Sequence, residues 1–173
     1  MKETPCLVLR CRAMSLAATT YPLLFTLQVP VEVGDFVVGV EMRGGAVVTV
    51  EDDDGTEVYL AHGLQPGGIS GIGGTLQDAY GDLRRGIELV LDDIADESPN
   101  LRAFKRDVEE FFADTDRWAE ETFESARREV AAGKIQSDLP RVANPRFRCD
   151  VVKFHQPLSE LAPEPDAMWL AAA

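Results

Sequence analysis

The sequence is poor in cysteine, histidine and positive charge, and it contains no long apolar run. Three cysteines, Cys6, Cys11 and Cys149, make no even disulfide framework. An odd separation on one strand would point Cys6 and Cys11 to opposite faces, which excludes a shared metal there. The two histidines, His62 and His155, fall short of the three or four ligands of a zinc site. Cys149, Asp150 and His155 match no metal-ligand spacing. Ser70 sits between Ile69 and Gly71, without the G-x-S-x-G context of an exposed nucleophile. No metal, cofactor or catalytic residue is therefore expected. A membrane helix needs ~20 apolar residues, and none is present. The charged start and apolar stretch of a signal peptide are missing too. The expectation is a cytoplasmic chain with reduced thiols and no membrane span.

The chain is instead rich in acid. Its formal net charge is -13. Residues 1–50 hold four acids and four bases, and residues 134–173 hold five of each. The excess lies between, with ten acids against two bases in 51–95 and eleven against six in 96–133. Such a surface repels phosphate backbones, so direct nucleic-acid binding is disfavoured; the charge reads first as a device of solubility and, in the alternative, as a surface for a cationic protein.

The 173 residues are enough for one domain with a core of its own. Short β-type runs occupy the first third: Cys6–Arg12, Leu23–Val29 ending at Pro30, Asp35–Met42, Ala46–Glu51 and Glu57–Ala61. Gly44-Gly45 is a two-residue turn signal, as is Asp54-Gly55. Residues 35–61 thus read as a three-stranded meander. The loop His62–Gly74 holds six glycines and Pro66. A helix follows over about 75–95, with Thr75 as N-cap and Asp78 at the capping-box position. Its apolar stripe is Leu76, Ala79, Tyr80, Leu83, Ile87, Val90, Leu91 and Ile94. Ser98 and Pro99 predict the cap and first residue of a second long helix over 99–132, stopped by Gly133. Asp114-Thr115-Asp116 is a possible break in it. Arg146–His155 reads as a strand with Phe147, Cys149 and Val151 on one face. Residues 156–173 form a proline-punctuated tail anchored by Met168-Trp169-Leu170. The expected fold is α+β, one domain over 1–155: an antiparallel meander packed by an amphipathic helix, with a helical extension over 99–132 and a C-terminal strand.

Two motifs invite chemistry and fail. Gly71-Ile72-Gly73-Gly74 lacks the third glycine of a dinucleotide fingerprint, and a helix, not a strand, follows helix one. No lysine precedes Thr75, so it is not a phosphate-binding Walker loop. The expected role of these glycines is to let the chain turn tightly over the sheet. Asp52-Asp53-Asp54-Gly55 has contiguous acids without the alternation of a calcium loop, and reads as a solvated turn.

Thr75, Asp78, Ala79, Gly86, Ile87, Glu88, Leu89 and Leu91, preceded by Leu64, Pro66 and Gly67, resemble the signature of the HicB family of antitoxins. The likeness covers about residues 35–95. It implies a partial ribonuclease-H-like fold without nuclease carboxylates, and binding to a small cationic toxin ribonuclease. The chain shows no helix-turn-helix or ribbon-helix-helix, so DNA binding is not expected. A partner surface is expected at Asp82, Glu88 and Asp92 on helix one; the aromatic stripe of helix two reads first as core and, in the alternative, adds Phe112 and Trp118 to that surface. That stripe also suits a homo-oligomer, the rival reading. An enzyme is the third, and it requires His62 or His155 to meet carboxylates in a cleft.

Overall fold

A computed structural model describes residues 19–53, 55–136, 139–142, 144–153 and 170–172. The expected strand Cys6–Arg12, together with His155 and residues 156–169 of the tail, lies outside them. The fold is α+β. Strand β1 spans Thr19–Val33, β2 Phe36–Asp53, β3 Thr56–Gln65 and β4 Ser70–Gly73. Helices α1 (Leu76–Glu97), α2 (Leu101–Ala113) and α3 (Arg117–Ala131) follow, then β5 (Arg148–Lys153) and β6 (Leu170–Ala172). All strand pairs are antiparallel, in the order β4-β3-β2-β1-β6. Strand β5 joins β2 on the edge that β3 also uses: β5 takes residues 38–43 and β3 takes residues 45–53.

Gly44-Gly45 is not a turn. Strand β2 runs straight through it, and its hairpins lie at Gly34, with φ of 59°, and at Gly55, with φ of 86°. The two glycines sit where β2 exchanges β5 for β3 and where the register slips beside Leu64, a β-bulge. Their missing side chains make room for rings. A Cβ on Gly44 would lie 2.5 Å from the Phe25 ring, and one on Gly45 would lie 3.0 Å from Phe147. The meander is therefore β1-β2-β3 over 19–65 rather than three strands within 35–61.

Pro30 does not end its strand. Val33 and Phe36 flank the two-residue turn and form a hydrogen-bonded pair. Alternation then places Pro30, opposite Gly39, at a non-hydrogen-bonded position. Its ring nitrogen points away from β2, where β1 has no strand neighbour beyond Phe25 among the described residues.

Side-chain alternation divides the sheet into two faces. Leu23, Phe25, Leu27, Val29 and Val31 of β1 share one with Val38, Val40, Met42 and Val48 of β2. Helices α1 and α2 cover that face with Tyr80, Leu83, Ile87, Leu91, Phe104, Val108 and Phe112. The opposite face carries Val47 and Leu64, under Ala119 and Phe123 of α3.

The expected long helix is thus two. Asp114 caps the end of α2, and Asp116 starts α3 by accepting a 2.8 Å hydrogen bond from the Ala119 backbone N–H. Residues 114–116 carry the chain from one sheet face to the other. They cross beside Gly67, whose N–H donates to the Asp114 carbonyl at 2.9 Å. A Cβ on Gly67 would lie 2.8 Å from the Asp116 nitrogen, so the crossing needs glycine there. The cap of α2 is Asn100, which accepts from the Ala103 N–H, while Ser98 ends α1. Gly133, with φ of 71°, closes α3 as expected.

The glycine loop also holds a strand. Gly71 and Gly73 lie in β4, and α1 rests directly on their backbone. A Cβ on Gly71 would lie 2.3 Å from both the Ala79 carbonyl oxygen and the Leu83 nitrogen. The chain does turn between β3 and β4, at Gly68 with φ of 71°. Thr75 caps α1 as expected, accepting from the Asp78 N–H at 3.1 Å. The Asp78 carboxylate answers through the Thr75 hydroxyl, which donates to it at 2.7 Å.

Candidate functional site

The stripe that buries α1 leaves Asp82, Arg85, Leu89, Asp92, Asp93 and Asp96 on an outward arc, at steps of three and four. Leu89 is 65% exposed among these acids. Asp82 is partly engaged. Its carboxylate accepts from the Ile72 N–H at 3.1 Å and pairs with Arg85 at 2.9 Å. The Ile72 hydrogen bond, then Arg85, holds this carboxyl below the usual carboxylate range. It also covers an N–H of the edge strand β4. Glu88 lies on the flank of the arc, paired with Arg84 at 2.8 Å. Asp92 is exposed.

The C-terminal end of α1 concentrates the charge. Asp92, Asp93, Asp96 and Glu97 are exposed there, and the last turn has no base. Acids at this end oppose the helix dipole, whose negative pole lies there. Asp96 and Glu97, in the last turn, each cost stability where a lysine would add it.

The two aromatic residues expected on a partner surface part company. Phe112 is 6% exposed and packs in the core under α2, so it is not a surface residue. The physical reason is the break at 114–116, which lets each helix bury its own stripe against its own sheet face. Trp118 is exposed and meets the His62 ring edge-on, with centroids 5.2 Å apart. His62 pairs with Ser70 across the β3–β4 ladder, and Leu60 pairs with Ile72 beside them. Ile72 is also exposed. Asp82, Glu88 and Asp92 thus lie along α1, and Trp118 lies on α3 over the other sheet face. The structure does not gather the expected residues into one patch.

A cleft of about 500 Å³ opens between α3 and the residues that lead into β5. Leu64, Phe123 and Phe147 supply its apolar lining; Glu120, Glu124 and Arg127 supply charge. The Phe123 and Phe147 rings meet edge-on, with centroids 6.2 Å apart. Phe147 was expected to share a face with Cys149 and Val151. It precedes β5 and packs on the core under α2 as those two do, and it also reaches Phe123 and the cluster on the other sheet face. No sequence pattern announces this cleft, because its walls come from three separate segments of the chain, 64–65, 115–127 and 144–147.

Burial pushes the Cys149 thiol up to about 12, with Asp150 and Glu109 adding to the shift. That is the opposite of a reactive cysteine. Glu41 is held below the usual carboxylate range, chiefly by the Arg148 hydrogen bond at 2.7 Å, which ties β5 to β2. Among the described residues no group of three or more His, Cys, Asp or Glu is placed to hold a metal ion, and no helix is long and apolar enough to cross a membrane. Compared with known protein families, with curated proteins and with solved structures, the chain matches none.

Proposed function

We propose that this chain is a non-enzymatic, HicB-like protein that acts in the cytoplasm by binding a cationic protein, in the narrowest version a small basic toxin ribonuclease. The observation that carries the reading is the exposed acidic end of α1. Asp92 and Asp93 lie one turn beyond an exposed Leu89, and Asp96 and Glu97 in the last turn oppose the helix dipole. Residues held against stability at a surface point to a role other than folding. An apolar side chain inside a charged ring is the usual form of a protein contact. The order of meander, glycine-rich turn and Thr75-capped helix supports the HicB-like version. Charge complementarity speeds encounter with a basic partner and selects against acidic ones.

The test is co-expression. A small basic protein encoded beside this one should arrest growth, and this chain should relieve the arrest and co-purify with it. The Asp92→Lys/Asp96→Lys variant should fold and fail to relieve it. If no basic protein is encoded alongside, or if this double variant protects as well as the parent, the reading fails. A second reading, self-association, is favoured by one observation: Trp118 and Ile72 are 52% and 58% exposed on neighbouring elements. Light scattering at high concentration should then show a dimer that Trp118→Ala dissociates.

A further inference from the structure

We infer that the cleft beside α3 is a binding site for a cationic group carried on a short apolar stem: an alkylguanidinium or alkylammonium, free or as an arginine or lysine side chain. The site lies on the sheet face opposite α1, so it goes beyond the acidic α1 surface and does not depend on it. Three observations define the ligand. The volume of about 500 Å³ falls within the range of small-molecule sites. The apolar wall is built from Leu64, Phe123 and Phe147, with Phe123 almost fully buried and so fixed in place. The charged wall is acidic on balance. Glu124 is paired with Arg127 at 2.9 Å, whereas the exposed Glu120 carboxylate has no hydrogen bond or ion pair among the described residues.

This combination sorts ligands by charge. An anion entering the cleft meets Glu120 and Glu124, with only one guanidinium between them. A neutral apolar molecule gains the phenylalanine contacts and leaves Glu120 unused. A cation on a methylene stem uses both walls. Its stem lies against Phe147 and Leu64, its head reaches Glu120, and the aromatic rings add a cation–π attraction. A guanidinium suits a carboxylate rim especially well, because its planar fork bonds both oxygens at once.

The experiment is a titration of the ¹⁵N-labelled full chain with n-butylguanidinium, guanidinium and the neutral n-butylurea, read by amide shifts. Butylguanidinium should move the amides of Glu120, Phe123, Glu124, Arg127 and Phe147 together. It should bind more tightly than guanidinium, by about fourfold for each methylene fully buried. It should also bind more tightly than butylurea. Glu120→Gln, at an exposed position, should weaken it by up to about fivefold, while Glu121→Gln, outside the cleft, should not. A pentapeptide with a central arginine separates the sources: tighter binding than butylguanidinium assigns the cleft to a protein side chain, and weaker binding assigns it to a free small molecule. Equal binding of butylurea and butylguanidinium, an unchanged affinity in Glu120→Gln, or shifts confined to α1 would each overturn the inference. Shifts confined to α1 would leave the protein-partner reading standing.

Discussion

At Gly71 the fold depends on a missing atom. Any Cβ there would lie 2.3 Å from the backbone of α1 on two sides, and backbone cannot step aside as a flexible side chain can. Gly71→Ala should therefore push α1 off β4 and cost about 3 kcal/mol or more, read as a lowered denaturation midpoint in urea. Gly74→Ala, with open space around its Cβ, is the control and should cost far less. Cys149 gives a second prediction at this scale. Its thiol sits at about 12 in the folded chain against an ordinary value of 9.0. Below pH 9 the thiol is neutral in both states, and its contribution to stability is fully present. As pH rises from 9 towards 12, the unfolded thiol ionises and the folded one does not, so stability falls. Comparing unfolding free energies from pH 8 to 11 in the parent and in Cys149→Ala isolates this slope. The parent should lose stability more steeply with pH, and parallel curves would sink the assignment.

The elements show which signals survive in a sequence. The α1 stripe was legible because a helix that covers a sheet must repeat apolar residues every three or four positions, and Thr75 marks its start. The α2–α3 break was half legible: Asp114 and Asp116 are poor inside a helix and good at its ends. What the local pattern did not carry was direction. Nothing in 114–116 announces that the chain passes to the other sheet face, because that follows from the distant Gly67 and from the stripe of α3 meeting Val47 and Leu64. Gly44-Gly45 misled for the same reason. A glycine pair between β-type runs reads as a turn unless the rings of Phe25 and Phe147, far off in sequence, are known to need the space. The cleft was illegible on the same ground. The crossing itself makes a prediction. Asp116→Ala removes the hydrogen bond to the Ala119 N–H and should cost about 1 kcal/mol. For a chain of this size that is a fall of roughly 2–4 °C in melting temperature. Asp116→Asn keeps a capping oxygen and should recover most of the loss. If asparagine is no better than alanine, the cap is not what starts α3.

For the whole molecule, a net charge of -13 sets the balance between folding and binding. Like charges repel most in the compact state, so the fold bears a cost that dissolved salt screens. That cost is concentrated at the end of α1, where Asp96 and Glu97 face the negative pole of the helix with no base in the turn. Asp96→Lys/Glu97→Lys removes like-charge repulsion and reverses the dipole term together. Each substitution should add about 0.3–1 kcal/mol of stability at low ionic strength. The gain should shrink between 10 and 300 mM salt, because both positions are exposed. If the acids serve only solubility, the variant should be more stable and otherwise unchanged. If they serve a cationic partner, the same variant should melt higher and yet bind the partner more weakly, through a slower association rate with a flatter dependence on salt. A variant that gains stability and keeps the parental association rate would move the functional surface away from α1. A variant that loses stability would show that these acids are engaged in pairs the folded chain needs. Only the combination of higher melting temperature and slower association connects the acidic bias of residues 51–133 to recognition.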